Sequence, residues 1–232
     1  MRPDELSLIR ELSLFADMGE DNFADLMQLA YFQHFPPQVQ LITEGDPSDF
    51  LYVVTEGCVE LFGQANGRET TIAMVRPVST FILAAVLKDA RYLMSARTTH
   101  KSRLLLVPSE NIRMMVATDP AFGCCMIAEL ATCYRNVVKS LKNHKLRSGT
   151  ERLANYILRR HSEFGGNGSV QLDIDKRTLA SLLGMTPENL SRSFATLKPY
   201  GVRVEGRDIA LDNIPDLQKL ARSSPLIDDP HS

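Results

Sequence analysis

No stretch of this 232-residue chain stays apolar for the roughly 18 residues that a membrane span requires, so no transmembrane role is expected. The opening segment MRPDELSLIRELSLF carries acids through its apolar stretch. It lacks the basic start, uninterrupted apolar segment and small-residue cleavage site of an export signal, and a cytoplasmic location is expected. Cysteine is scarce. Cys58, Cys124, Cys125 and Cys133 form no CxxC pair with a second ligand pair, and the cytosol disfavours disulfides, so they read as structural thiols. Neither sign of charge dominates, and a net charge of −2 argues neither for nor against nucleic acid. The first 143 residues hold 13 Lys and Arg against 17 Asp and Glu, and the remainder 13 against 11, which makes the C-terminal part slightly the more basic. Catalytic patterns are missing too. There is no Ser/His/Asp order, paired-carboxylate motif, phosphate loop or HExxH, so neither an enzyme nor a metal site is expected, and no residue is assigned a catalytic role.

What is present suits a soluble globular chain, 44% hydrophobic and 23% charged. Its length fits a sensor of ordinary size followed by a compact effector module. Residues Asp4 to Leu14 and Asp21 to Ala30 show helical spacing, with Asp21 as N-cap of the second. From Phe35 onward, VQLITEGDPSDFLYVVTEGCVELFGQANGRETTIAMVRP alternates short β-branched and aromatic runs with turn clusters about ten residues apart, a jelly-roll or barrel texture. Leu104 to Val107 adds a strand, and Pro108-Ser109-Glu110 opens a helix through Met115. Asp119 as N-cap and Pro120 at the first helical position then start a long helix. Along it Met126, Leu130, Cys133, Val137, Leu141 and His144 follow steps of three and four, the repeat of a seam between two parallel helices. A helix lying on its own sensor domain is the competing reading of that pattern.

The densest signals lie in DKRTLASLLGMTPENLSRSFATLKPYGVRVEGRDIALD. Asp175 caps a helix that buries Leu179, Leu182 and Leu183, and Gly184 supplies a tight reversal. Thr186 is the next N-cap, with Pro187 following, and Leu190, Phe194 and Leu197 commit one face of that helix to a core. The opposite face presents Glu188, Ser191 and Arg192 near the helix start, where a recognition helix meets base edges. Arginine can donate twice to guanine, glutamate can accept from cytosine N4, and serine reaches bases or phosphate. A Glu188/Arg192 surface ion pair is the plainer alternative for those two residues. VRV, the turn EGRD and IAL read as a β-wing, with Arg203 and Arg207 suited to phosphates. The expected DNA contacts are Lys176, Thr186, Glu188, Ser191, Arg192 and Arg207. A winged helix that docks a protein partner is the alternative function, and the salt dependence of binding separates the two.

The fold class expected is α+β. It comprises an N-terminal double-stranded β-helix (jelly-roll) sensor over residues 1–118, a dimerisation helix and hinge over 119–145, and a winged helix-turn-helix over 146–232. In this order the chain resembles the CRP/FNR superfamily of bacterial transcription regulators over nearly its whole length. EGDPSDFLYVVTEGCVELF resembles the family's cyclic-nucleotide-binding-type β-roll signature, and DKRTLASLLGMTPENLSRSFATL resembles its helix-turn-helix. Glu188, Ser191 and Arg192 match the E-x-x-S-R pattern of the FNR branch. The resemblance implies a homodimer on a palindrome with TTGAT-like half-sites, and RNA polymerase as a partner. Lys198-Pro199-Tyr200 departs from the family pattern, and Pro199 is expected to fray the last turn of the recognition helix.

For the effector, a cyclic-nucleotide regulator of this kind needs a glycine-bearing phosphate cassette and an Arg-Ser or Arg-Thr pair. In VSTFILAAVLKDARYLMSARTT, Ser79 stands near the glycine position, Ile82 and Leu83 are apolar, and Tyr92-Leu93 replace the arginine pair. Cyclic AMP is therefore not expected, with Arg97 the remaining cation in reach. An iron–sulfur cluster is rejected, because no cysteine precedes Cys58 and adjacent helical cysteines diverge by about 100°. The apolar cassette most resembles the NnrR/DNR-type regulators of denitrification, for which nitric oxide sensing through haem is the implied mechanism. FixK-like proteins, which need no ligand, are close to them. A haem calls for an apolar slot and usually a histidine, so the candidate effector pocket is Phe81, Leu83, Tyr92, His34 and His100. A lone histidine is more often solvated or capped than a ligand, and His144 and His161 lie beyond the sensor.

Overall fold

The computed structural model describes residues 3–229, and the chain divides into two compact units between Tyr134 and Arg135, inside a helix. The first unit begins with helices α1 (Pro3–Arg10) and α2 (Glu20–Gln28). Strands β1 (Tyr31–Phe35), β2 (Gln40–Ile42), β3 (Phe50–Glu56), β4 (Val59–Ala65), β5 (Arg68–Val75) and β6 (Ser79–Phe81) follow. Helix α3 (Leu83–Lys88), strands β7 (Ser95–Thr98) and β8 (Ser102–Pro108), and helix α4 (Ser109–Thr118) lead into the long α5 (Pro120–Leu146). The strands form two four-stranded antiparallel sheets in the orders β1-β8-β3-β6 and β2-β7-β4-β5, the two faces of a jelly roll.

The apolar runs FLYVV and LLLV do not alternate with polar residues because β3 and β8 are covered on both faces. Tyr52, Val54, Leu104 and Leu106 point between the sheets, with Val59, Leu61, Phe81 and Ala96. Leu51, Val53, Leu105 and Val107 point to the other side, where Phe15, Leu26, Ile112 and Phe122 cover them.

The structure corrects several local expectations. The first helix stops at Arg10 instead of reaching Leu14. The Arg10 guanidinium donates to the carbonyls of Phe15 (2.9 Å) and Met18 (2.6 Å), and the turn so held drives Leu14, Phe15 and Met18 into the core. The cap position of α2 is Gly19, and Asp21 lies within its first turn. The tie that organises this corner comes from far along the chain. Asp119 accepts from the Gly19 amide (2.9 Å), the Asn22 side chain (2.9 Å) and the Phe122 amide (3.0 Å), so one carboxylate caps α5 and holds the start of α2. Those donors, Asn22 first, hold the Asp119 carboxyl down at about 2.

The expected seam on α5 is open only in part. Phe122 and Met126 are buried and Leu130 packs against the same core, so the first turns of α5 belong to the first unit. The exposed apolar residues farther along are Ile127, Tyr134, Val137 and Leu141, the last three 71%, 65% and 55% exposed, and of these Val137 and Leu141 belong to the expected seam. The reading of a helix lying on its own sensor domain thus holds for its first turns.

The second unit contains the rest of α5, then α6 (Gly149–Glu163), β9 (Ser169–Gln171), α7 (Lys176–Leu182) and α8 (Pro187–Leu197). A 3-10 turn at Lys198–Tyr200, β10 (Val202–Glu205), β11 (Asp208–Leu211), α9 (Ile214–Ala221) and α10 (Pro225–Asp228) complete it. Ser148 and Glu151 form a reciprocal capping box that starts α6 two residues after α5 ends. The buried Leu153, Ala154, Tyr156 and Ile157 of α6 belong to the core onto which α8 and α9 fold. Strands pack in the order β10-β11-β9, a small antiparallel sheet with the wing hairpin at one edge. Pro199 does not fray the last turn of α8, which is regular to Leu197, and the next residues tighten into the 3-10 turn. Among the described residues no single helix is long and apolar enough to cross a membrane.

Candidate nucleic-acid interface

The second unit carries a helix-turn-helix built by local chemistry. The Asp175 carboxylate accepts from the Thr178 amide (2.7 Å) and starts α7. At the reversal Gly184 adopts φ +62, and a Cβ there would stand 3.0 Å from the His144 ring, so glycine satisfies both the backbone and the space. Arg152 of α6 pins this turn, donating to the carbonyls of Leu183 (2.8 Å) and Gly184 (3.3 Å). Thr186 then accepts from the Asn189 amide (3.3 Å) and caps α8, whose Leu190, Phe194 and Leu197 are buried with Ser193.

With that face committed, the other side of α8 is left open. Glu188, Ser191 and Arg192 are all exposed, within one turn of each other at the N-terminal end. The Thr186 hydroxyl bonded to Glu188 holds its carboxyl below the usual range, with the nearby Arg192 charge a smaller contribution, so Glu188 stays an acceptor at neutral pH. Among the described residues Glu188 and Arg192 form no ion pair within 4.0 Å, and Arg192 acts on Glu188 only through its nearby charge. Lys176 is exposed at the start of α7, and Arg207 is exposed beside Gly206 at the wing turn. Arg203 is different. It is held by Asp212 in a two-point contact, Nε to Oδ2 at 2.6 Å and Nη2 to Oδ1 at 2.9 Å, so its charge is already compensated. Sequence reasoning passed over Arg177, Asn189 and Lys198, which are also exposed in or next to α7 and α8. The surface can meet an anionic backbone with free cations and base edges with one carboxylate, one hydroxyl and one guanidinium.

Of the five residues expected to line an effector pocket, only Phe81 and Tyr92 share one cluster. Phe81 and Tyr92 lie in the interior between the sheets. Leu83 faces the opposite cluster. His34 is exposed on β1, and His100 is exposed in the turn before β8, where its Nδ1 lies 3.0 Å from the Thr99 hydroxyl. Tyr52, not identified from sequence, stacks on Phe81 with centroids 5.1 Å apart and interplanar angle 19°, so the interior is aromatic. Burial pushes the phenols of both Tyr52 and Tyr92 up, and they remain neutral. Ile82, at the start of α3, occupies the left-handed region at φ 71, where a β-branched side chain is strained. Arg97 points to a different use: it binds Glu60 (2.8 Å) and Glu69 (2.7 Å) and lies over the Phe62 ring at 4.3 Å.

Two family models match the chain, a cyclic nucleotide-binding domain over residues 32–119 and a Crp-like helix-turn-helix domain over residues 151–222. A curated relative, the CRP-like cAMP-activated global transcriptional regulator of Mycobacterium tuberculosis, is 25% identical over 194 residues, spanning 81% of this chain and 85% of that protein. The solved structure of a regulatory protein of Silicibacter pomeroyi DSS-3, provisionally described as cAMP-binding, is 25% identical with TM-score 0.64, covering 96% of this chain and 100% of that one. FixK2 of Bradyrhizobium japonicum has the same fold with TM-score 0.74 at 21% identity, covering 84% of this chain and 98% of that one.

Proposed function

We propose, since the chain belongs to the CRP/FNR superfamily of DNA-binding transcription regulators, that it acts as a homodimer on a palindrome of TTGAT-like half-sites. The observation that carries this reading is the division of α8 into a buried face of Leu190, Phe194 and Leu197 and an open face of Glu188, Ser191 and Arg192. Two such helices about 34 Å apart would enter successive major grooves. The exposed stripe Tyr134, Val137 and Leu141 on α5 is the surface that suits pairing with a second copy. Lys176 and Arg207 take phosphates, Thr186 fixes the start of the reading helix, and RNA polymerase is the downstream partner in the cytoplasm. Resemblance to the NnrR/DNR and FixK-like branches points to control of nitrogen-oxide or low-oxygen respiration.

The Mycobacterium tuberculosis and Silicibacter pomeroyi relatives are described as cAMP-activated and cAMP-binding, but this chain's sensor favours another signal. Ile82 stands at the strained start of α3, the arginine pair is absent, and Arg97 is already bound by two carboxylates. The residues present do not fit haem either: both sensor histidines are exposed, away from the apolar interior that would hold the ring. An aromatic interior of Tyr52, Phe81 and Tyr92 supports a FixK-like sensor that needs neither ligand.

DNA and protein docking are separated by titrating the full chain against an inverted-repeat duplex over a salt series. With Z phosphates contacted, log affinity falls against log salt with slope about −0.9Z, several units steep for a surface of this kind. A flat salt response would favour a protein partner.

A further inference from the structure

The segment after α9 turns back onto the end of α5, within the second unit. Only Arg147 and Ser148 separate α5 from α6, so their conformation sets the angle between the two helices. The Arg147 side chain is 5% exposed. Its Nη1 donates to Asp228 Oδ1 (2.7 Å) and its Nη2 to Asp228 Oδ2 (2.5 Å). Nη1 also reaches Asn143 Oδ1 on α5 (3.1 Å), and Nη2 reaches the Arg222 carbonyl after α9 (3.4 Å). The backbone of the same segment is tied to α5 again, through Lys139 Nζ to the Asp229 carbonyl (2.8 Å) and Lys142 Nζ to the Leu226 carbonyl (3.5 Å). The Arg147 carbonyl accepts from Arg152 (2.7 Å), the side chain that pins Leu183 and Gly184 in the helix-turn-helix reversal. One polar network therefore runs from the C-terminal segment through the junction to the turn that aims α8.

A two-point guanidinium–carboxylate contact fixes direction as well as distance, and a buried guanidinium is costly without its partner. Burial alone would raise the Asp228 carboxyl. The Arg147 guanidinium and the Ser224 amide (2.7 Å) outweigh it and hold the group below the usual carboxylate range, so the contact is charged at neutral pH.

We propose that residues 224–229 are a strap that locks the α5–α6 junction, with Arg147 as its positioning residue and Asp228 as its latch, and so selects the half-site spacing the protein accepts. This rests on the reading that α5 pairs two copies and α8 meets DNA. A free C-terminal tail would not need a buried arginine to meet it, whereas a lock on the junction does.

The test uses the full chain, Asp228→Asn, and a second variant ending after Ser223, which keeps the Ser223 hydroxyl on Asn155 (2.8 Å) and leaves the core intact. Amide hydrogen exchange over residues 140–152 and affinity for inverted repeats with the spacer changed by one base pair either way are measured for all three. Both variants should exchange about tenfold faster at the junction, and their preference for the best spacer should fall by about tenfold, with single half-site affinity unchanged. Unchanged exchange, or unchanged spacer preference in both variants, overturns the strap. Faster junction exchange in a protein whose wild type prefers no inverted repeat would support the lock and refute the DNA reading instead.

Discussion

Arg192→Ala loses about 1 to 3 kcal/mol of binding per half-site, roughly fivefold to 150-fold each, and relaxes discrimination at one base position. The argument is geometric. Arg192 is exposed on the α8 face opposite Leu190 and Phe194, and it forms no ion pair within 4.0 Å with Glu188 or any other described residue. Alanine there removes donors without disturbing the buried face, so folding and dimerisation are untouched and the loss is confined to matched duplexes. A palindrome read by two copies shows the loss twice. Arg207→Ala, at the exposed wing turn, is the contrasting case. It weakens matched and scrambled duplexes alike and reduces the salt slope by about 1. Gel-shift series on both duplexes check the pair. Equal losses on matched and scrambled DNA for Arg192→Ala would remove it from base reading.

Val137→Asp raises the dimer dissociation constant at least about 100-fold and removes operator binding at concentrations where the wild type saturates. Val137 sits between Tyr134 and Leu141 on the exposed stripe of α5, and in the single chain it is 65% exposed. An aspartate is harmless in that solvated setting, so each unit keeps its melting behaviour. In a paired seam it sets like charges facing each other in a drying interface, which costs several kcal/mol. Sedimentation equilibrium with operator titration reads both consequences. A variant that stays dimeric at wild-type concentration would move the contact off this stripe.

The reading helix was legible because everything that makes it is local. The Asp175 and Thr186 caps, Pro187, and the steps of four and three through Leu190, Phe194 and Leu197 are all carried within a few residues of each other, and each has the partner expected of it. The jelly-roll texture was legible for a similar reason, since turn clusters mark strand ends wherever the strands go. What failed depended on distant partners. Asp119 reaches back to Gly19 and Asn22, about 100 residues away, and no local rule would shift the cap of α2 on that account. Met126 satisfied a heptad pattern but is drawn into the core with Phe122, which leaves Ile127 to begin the exposed stripe. The effector residues were chosen by chemical type, whereas strand pairing decides which face each occupies. That sends Phe81 and Tyr92 inward, Leu83 to the other cluster, and His34 and His100 to solvent. Arg203 looked like a phosphate ligand until Asp212, nine residues on, was brought beside it by the hairpin.

The central claim, that α8 reads base edges in two symmetry-related half-sites, is tested most directly by selecting binders for the purified full chain from a pool of randomised duplexes. The account predicts an enriched dyad of TTGAT-like halves whose best members bind about a thousandfold or more tighter than unselected duplex at physiological salt. A pool that returns with no dyad, or with affinity no better than where it began, would contradict it.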